Sequence, residues 1–238
     1  MIKFENISKK FDKKQVLTDV SFQIEEDEIV GLYGDSGCGK STVAKIACGL
    51  VVPDGGQVYA DGIALYDKKF KYDRKTGLNI QMVYQQPFSA LDPSQKILKG
   101  FEELIRYHRF AKDKKDVSAL IDKTCALVEL DKSILNHLPH QISGGEAQRI
   151  AIAKALLFKP KLIIMDEATS MLDATTQANV LAMLKRELAK FDGSMLLISH
   201  DDELVNFYCS KIYDMQDGKV KLRECSDKQE TDKDKNNV

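Results

Sequence analysis

The segment Gly34-Asp35-Ser36-Gly37-Cys38-Gly39-Lys40-Ser41 constrains this chain more than any other. It joins the strand-like run Ile29 to Tyr33 to a stretch in which Val43, Ile46, Ala47 and Leu50 fall on one helical face. Further along, Leu162 to Met165 and Met195 to Ile198 read as strands buried on both faces, with a helical pattern from Thr175 to Lys190 between them. Strands alternating with helices imply an α/β fold with a mostly parallel central sheet, covered on both sides.

The spacing G-x-x-x-x-G-K-[ST] is that of a P-loop, and Thr42 follows it. Its glycines let backbone N–H groups converge on phosphate oxygens without side chains in the way. The helix beginning near Lys40 adds the partial positive charge of its N-terminus, roughly half a unit. Lys40 is expected to neutralise the β- and γ-phosphates, and Ser41 to ligate Mg²⁺. Residues Gly34, Asp35, Ser36, Gly37, Cys38, Gly39, Lys40, Ser41 and Thr42 therefore form the expected triphosphate contact. The strand Leu162 to Met165 ends in Asp166 and Glu167. At a strand's carboxyl end an acid can face the phosphate site. Asp166 is expected to hold Mg²⁺, through water, and Glu167 to polarise the attacking water. The second buried strand ends in Ser199-His200-Asp201, which would bring the His200 imidazole to the same edge and to the γ-phosphate.

Composition removes several other classes. Lysine and arginine total 35 against 36 acids, a formal charge of −1, so no global basic field argues for nucleic acid. The apolar runs are too short to span a bilayer, and the N-terminal segment is charged and interrupted, unlike a secretory signal. The expectation is a protein made and kept in the cytosol, touching a membrane only through partners. Cys38, Cys48, Cys125, Cys209 and Cys225 form no CxxC pair, and the four histidines show no metal-ligand spacing, so reduced thiols are expected.

Near the start, Val20, Phe22 and Ile24 alternate with polar residues as in a half-buried strand. Pro53 to Gly56 breaks the chain, and Gln57 to Ala60 reads as another strand before the Asp61-Gly62 turn. From about Pro87 to Lys159 the pattern becomes helical: Ile97, Leu98, Phe101, Leu104 and Ile105 recur at helical spacing, as do Val117, Leu120, Ile121, Thr124, Leu127 and Val128. Residues 226–238 are nearly all polar and are expected to form a disordered tail.

P-loops occur in many unrelated NTPases. The segment Ile142-Ser143-Gly144-Gly145-Glu146-Ala147-Gln148-Arg149, followed by Ile150 to Leu156, narrows the field. It resembles the signature L-S-G-G-Q-x-Q-R of ABC ATPases and the helix that follows it, and it forms a second phosphate nest at a helix start. The resemblance covers about residues 2–222. It implies an ABC cassette over residues 1–225, with a RecA-like core (1–86 and 160–225), an N-terminal antiparallel β subdomain and an inserted helical subdomain (about 87–159).

The same resemblance supplies further roles. Tyr84-Gln85 looks like the Q-loop, which implies that Gln85 senses Mg²⁺ and belongs with both the catalytic and the metal-contacting residues. Ser170-Met171-Leu172-Asp173 looks like the D-loop, which places Asp173 at the nucleotide of a dimer. Phe11 falls at the position expected to stack on adenine. Family-wise, ATP held by one subunit is covered by Ser143, Gly144, Gly145 and Glu146 of another. The departures are Glu146 for glutamine, Ile142 for leucine, Met171 for alanine and Lys154 for arginine.

The stretch Val83 to Pro93 resembles the V-F-Q-x-P-x-x-S-L-N-P run of peptide and nickel importer ATPases. That implies a second ATPase chain, identical or different, two membrane permeases and an extracytoplasmic solute-binding protein, with the chain on the cytoplasmic face of the membrane. An exporter ATPase, an iron–sulfur assembly ATPase, and a translation or DNA-repair ABC protein are the alternatives. Tandem cassettes or long coiled coils would mark the last two, and the sequence has neither.

Overall fold

A computed structural model describes residues 1–170 and 172–223. Met171, Cys225 and the polar tail at 226–238 lie outside the described residues.

The chain opens with two long antiparallel strands, β1 (Ile2–Phe11) and β2 (Lys14–Ile24). Their alternation is clear: Phe4, Ile7, Val20, Phe22 and Ile24 point inward, and the Phe4 and Phe22 rings stack at 4.3 Å. With β4 (Gly55–Ala60) and the two-residue β5 (Ile63–Ala64) they form a four-stranded antiparallel sheet in the order β2-β1-β4-β5.

The second sheet has six strands. β3 (Ile29–Tyr33), β6 (Ile80–Val83), β7 (Leu162–Asp166), β8 (Ser194–Ser199) and β9 (Lys211–Gln216) run parallel, and β10 (Lys219–Leu222) is antiparallel at the edge. The order is β10-β9-β3-β8-β7-β6. Every residue of β7 and β8 is buried, and successive side chains feed two different cores. Ile163, Met165, Met195 and Leu197 join the core under the helices, whereas Leu162, Ile164, Leu196 and Ile198 join the one shared with the antiparallel sheet. Period-two alternation across a doubly covered sheet explains why these strands read as unbroken apolar runs.

Between β6 and β7 the chain is helical: α3 (Ile97–Tyr107), α4 (Lys114–Leu127) and α5 (Gly144–Leu156), joined by short 3₁₀ turns. The apolar stripe of α3 buries Ile97, Phe101 and Ile105, and that of α4 buries Val117, Ile121, Thr124 and Cys125. The Thr124 hydroxyl is satisfied by the Leu120 carbonyl at 2.7 Å, which allows a polar residue on that face. Arg149 of α5 donates to the Val128 carbonyl at 2.8 Å and ties the two helices together. Phe101 is fully buried, so Phe101→Ala should cost about 3–5 kcal/mol, read as a shift in the denaturant midpoint.

The helix after the glycine-rich loop, α1 (Lys40–Ala47), is shorter than the periodicity suggested. Val43, Ile46 and Ala47 are buried as expected, but Leu50 is 57% exposed. Gly49, at φ 69°, turns the chain out of the helix. The Leu50 N–H then bonds back to the Lys45 carbonyl at 2.9 Å, a glycine-terminated helix end. Two tyrosines from the excursion before β6 finish the job. Tyr66 donates its hydroxyl to the Ile46 carbonyl and Tyr72 donates to the Ala47 carbonyl at 2.8 Å. That excursion includes the one-turn helix α2 (Arg74–Gly77), capped by Asp73. After β7, α6 (Ala174–Leu188) carries the expected helix, and α7 (Asp202–Tyr208) follows β8.

Candidate nucleotide site at the carboxyl edge of the parallel sheet

Three parallel strands, β3, β7 and β8, end side by side, and their loops deliver the chemistry. A cleft of about 240 Å³ opens there, walled by Ser36, Gly37, Gly39, Lys40, Ser41 and Thr42 on one side and by Gln85, Asp166 and Glu167 on the other. A larger cavity of about 720 Å³ near Tyr66 and Tyr72 contains none of the motif residues. Its size carries no chemistry, and the smaller cleft is the candidate site.

The loop is shaped by its glycines. A Cβ on Gly34 would sit 2.3 Å from the Met215 carbonyl oxygen of β9, so no other residue fits between loop and sheet. Gly39 has φ 119°, and its Cβ would meet Leu17 and Met215 at 2.8 Å. Lys40 is only 4% exposed and folds back over the loop, donating to the carbonyls of Gly34 at 2.6 Å and Asp35 at 2.9 Å. The Cys38 N–H bonds back to the Asp35 carbonyl at 3.4 Å. Gly34, Asp35 and Cys38 thus build the loop without lining the cleft.

The acids stand opposite. Asp166, the last residue of β7, accepts the Ser41 hydroxyl at 2.9 Å. Burial pushes its carboxyl above the usual range; the Ser41 hydrogen bond opposes this, the adjacent Glu167 reinforces it, and Lys45 and Lys40 pull it back. Glu167 has the left-handed φ of 51°, uncommon for a residue with a Cβ and worth about 1–3 kcal/mol of strain. Its backbone holds that turn: the N–H donates to the Ile198 carbonyl at 3.1 Å, and its carbonyl accepts the Ser170 hydroxyl at 2.8 Å. The side chain is thereby aimed into the cleft. One carboxylate oxygen accepts from Gln85 Nε2 at 3.1 Å, and the other lies 3.7 Å from Lys40 Nζ and 3.4 Å from His200 Nδ1. The geometry therefore joins Gln85, Glu167, Lys40 and His200, drawn from four separate parts of the sequence.

The second nest lies elsewhere. Ser143 caps α5, and no residue of 143–146 lines the cleft that holds Lys40. The Ser143 hydroxyl and N–H both donate to the Glu146 carboxylate, at 2.8 Å and 2.7 Å, while the Glu146 N–H reaches the Ser143 hydroxyl at 3.3 Å. This is a reciprocal capping box. Those two donors hold the Glu146 carboxyl below its usual range. Asp173 caps α6 through the Thr176 N–H at 3.0 Å. Phe11, 44% exposed beside the Lys9 ammonium, is not part of the cleft wall. Val16 on β2 is, and sequence reasoning passed over it because an aliphatic residue in an alternating strand carries no chemical signal.

Comparison with known proteins agrees with this geometry. Residues 17–170 match the family described as ABC transporter. The nickel import ATP-binding protein NikE of Shigella dysenteriae is 36% identical over 213 residues, covering 90% of this chain and 79% of that protein. NikE of Escherichia coli K12 is 36% identical over 211 residues, covering 89% and 78%. Among solved structures, the ATP-binding cassette MJ0796, a dimer in a post-hydrolysis state bound to ADP and Pi, superposes with a TM-score of 0.81 at 30% identity, covering 94% of this chain and 98% of that one. Among the described residues no helix is long and apolar enough to cross a membrane. A strand-to-helix phosphate loop, paired acids where β7 ends and a second nest at the start of α5 thus coincide with family membership, and the chain belongs to the ABC transporter family as one of its ATP-hydrolysing cassettes.

Proposed function

We propose that this chain is the ATPase of an ABC importer, coupling hydrolysis to uptake of nickel, a metal chelate or a small peptide. The observation that carries this reading is the 36% identity to nickel import ATP-binding proteins over 79% of their length, joined to the importer-like run Val83 to Pro93. In this reading the chain sits on the cytoplasmic face of the membrane, bound to two permeases and served by an extracytoplasmic solute-binding protein. It acts with a second cassette, a copy of itself or a different ATPase.

Residue roles follow from charge and reach. The N–H groups of Ser36 to Thr42 and the Lys40 ammonium take the β- and γ-phosphates, the ammonium leaving the Gly34 and Asp35 carbonyls as it does so. Ser41 and Asp166 offer two oxygen ligands 2.9 Å from one another, and Gln85 lines the cleft on the same side as Asp166, a hard set that suits Mg²⁺. That cation, when bound, neutralises charge on the β- and γ-phosphates. Glu167 orients and polarises the attacking water, and His200 reaches the γ-phosphate from the end of β8. Ser143, Gly144, Gly145 and Glu146 of one cassette close over the nucleotide of the other, with Asp173 at the shared boundary. Phosphoryl transfer needs mainly positioning and charge neutralisation, which fits a dispersed set of groups.

The test is capture of the tagged chain from solubilised membranes, followed by uptake of labelled nickel and labelled dipeptide by cells lacking the chain. Multi-span proteins should co-purify, and uptake of one solute should fall to background and return with the intact gene. Soluble partners alone would point to an assembly ATPase, and loss of efflux instead of uptake would make the chain part of an exporter.

A further inference from the structure

The second nest is partly filled by the chain itself. A helix start offers an incoming anion its unsatisfied N–H groups and, here, the Ser143 hydroxyl. Among the described residues, the N–H groups of Gly144 and Gly145 have no acceptor, and a Cβ on Gly144 would meet nothing within 4 Å. Those two donors are open. The Ser143 hydroxyl and N–H are not: both point at a single Glu146 oxygen, at 2.8 Å and 2.7 Å. A serine hydroxyl has one proton, so it cannot serve Glu146 and a phosphate oxygen together. Among the described residues no ion pair reaches the Glu146 carboxylate, whose charge is met by these donors, the helix end and, more weakly, the His137 ring.

We propose that Glu146 is a positioning residue that acts as an internal competitor for the nucleotide's γ-phosphate. It holds the Ser143 proton in the open chain and repels the phosphate that must take it over. The inference rests on the two-cassette reading above and deepens it: the signature nest of this chain is tuned to close weakly. Glutamine in the same place would keep the capping box, since its amide oxygen accepts as the carboxylate does, but would bring no charge. Closure of this cassette over a nucleotide is then electrostatically opposed and depends on ionic strength in a way that a neutral nest would not.

The experiment uses the full chain with the cassette it pairs with, a second copy or a co-purified ATPase. ATPase rate is followed against subunit concentration and against ATP for the native chain and for Glu146→Gln, at low salt and near 1 M salt. At low salt Glu146→Gln should reach half-maximal activity at about tenfold lower subunit concentration, the scale expected for removing one partly screened like charge. The change acts on closure and not on the water-activating end, so the informative quantity is the subunit concentration at half-maximal rate. Near 1 M salt, where screening acts over about 3 Å, the gain should largely vanish. Equal or weaker assembly of Glu146→Gln, with an unchanged melting curve, would overturn the inference, and so would a gain indifferent to salt, which marks a packing effect. Ser143→Arg separates the two levels. If that variant still hydrolyses ATP normally, the two-cassette reading itself fails; if it is dead while Glu146→Gln behaves like the native chain, only the competitor role fails.

Discussion

Glu167→Gln should bind ATP and turn it over at least about a hundredfold more slowly than the native chain, the usual scale for losing a positioned general base. The two side chains share a shape, so the hydrogen bond now donated by Gln85 at 3.1 Å has an acceptor in the glutamine oxygen. The left-handed turn at φ 51° is fixed by backbone bonds to Ile198 and Ser170 and should persist. What goes is the negative charge 3.7 Å from Lys40 and 3.4 Å from His200. Loss of that charge also removes a repulsion toward phosphate, so ATP affinity should hold or rise. A nucleotide-bound pair should accumulate on size-exclusion chromatography. Full steady-state activity in this variant would take Glu167 out of the catalytic role.

Ser143→Arg should be as damaging, by a different route. Ser143 is exposed and caps α5, so the substitution costs the fold only a lost cap, about 0.5–2 kcal/mol. It nevertheless places a long cation where, in the proposed reading, the other cassette presents its nucleotide. ATPase activity should fall to background while the isolated chain still binds nucleotide with near-native affinity, since no residue of 143–146 lines the Lys40 cleft. A fluorescent ATP analogue titrated into the variant reads the second quantity separately from the first. Loss of both together would mean that the nest serves the cleft of its own chain.

Much of this was visible in the sequence because the chemistry dictates residue type and spacing together. The phosphate loop needs glycines where Gly34 and Gly39 stand, for steric reasons that hold in any chain with this turn. The buried strands β7 and β8 were readable because both faces are covered, leaving no polar alternation to confuse the pattern. The end of α1 was misplaced by following apolar spacing through Gly49 to Leu50, although the glycine itself was the stop signal. The reciprocal bond between Ser143 and Glu146 was also latent, since serine followed three residues later by glutamate is a capping-box pattern. Strand ends and family resemblance put Gln85, Glu167 and His200 at one site, but their contacts with one another are a property of strand order that no local pattern spells out. The base-stacking role expected of Phe11 rests on the family resemblance, whereas Val16 of the neighbouring strand, which walls the cleft at the phosphate loop, carried no sequence signal.

The two tyrosines at the far end of α1 have a mechanical consequence. An eight-residue helix standing alone in water would not persist, and one anchored only at its phosphate end could tilt with every nucleotide that arrives. Tyr66 and Tyr72 rivet its opposite tip, and Tyr72 is wedged so closely that a methyl on Gly49 or Gly77 would strike its ring or hydroxyl within 2.4 Å. The phosphate loop therefore rides on a strut whose far end is tied by two phenols to the segment before β6, so that segment and the loop share one short helix.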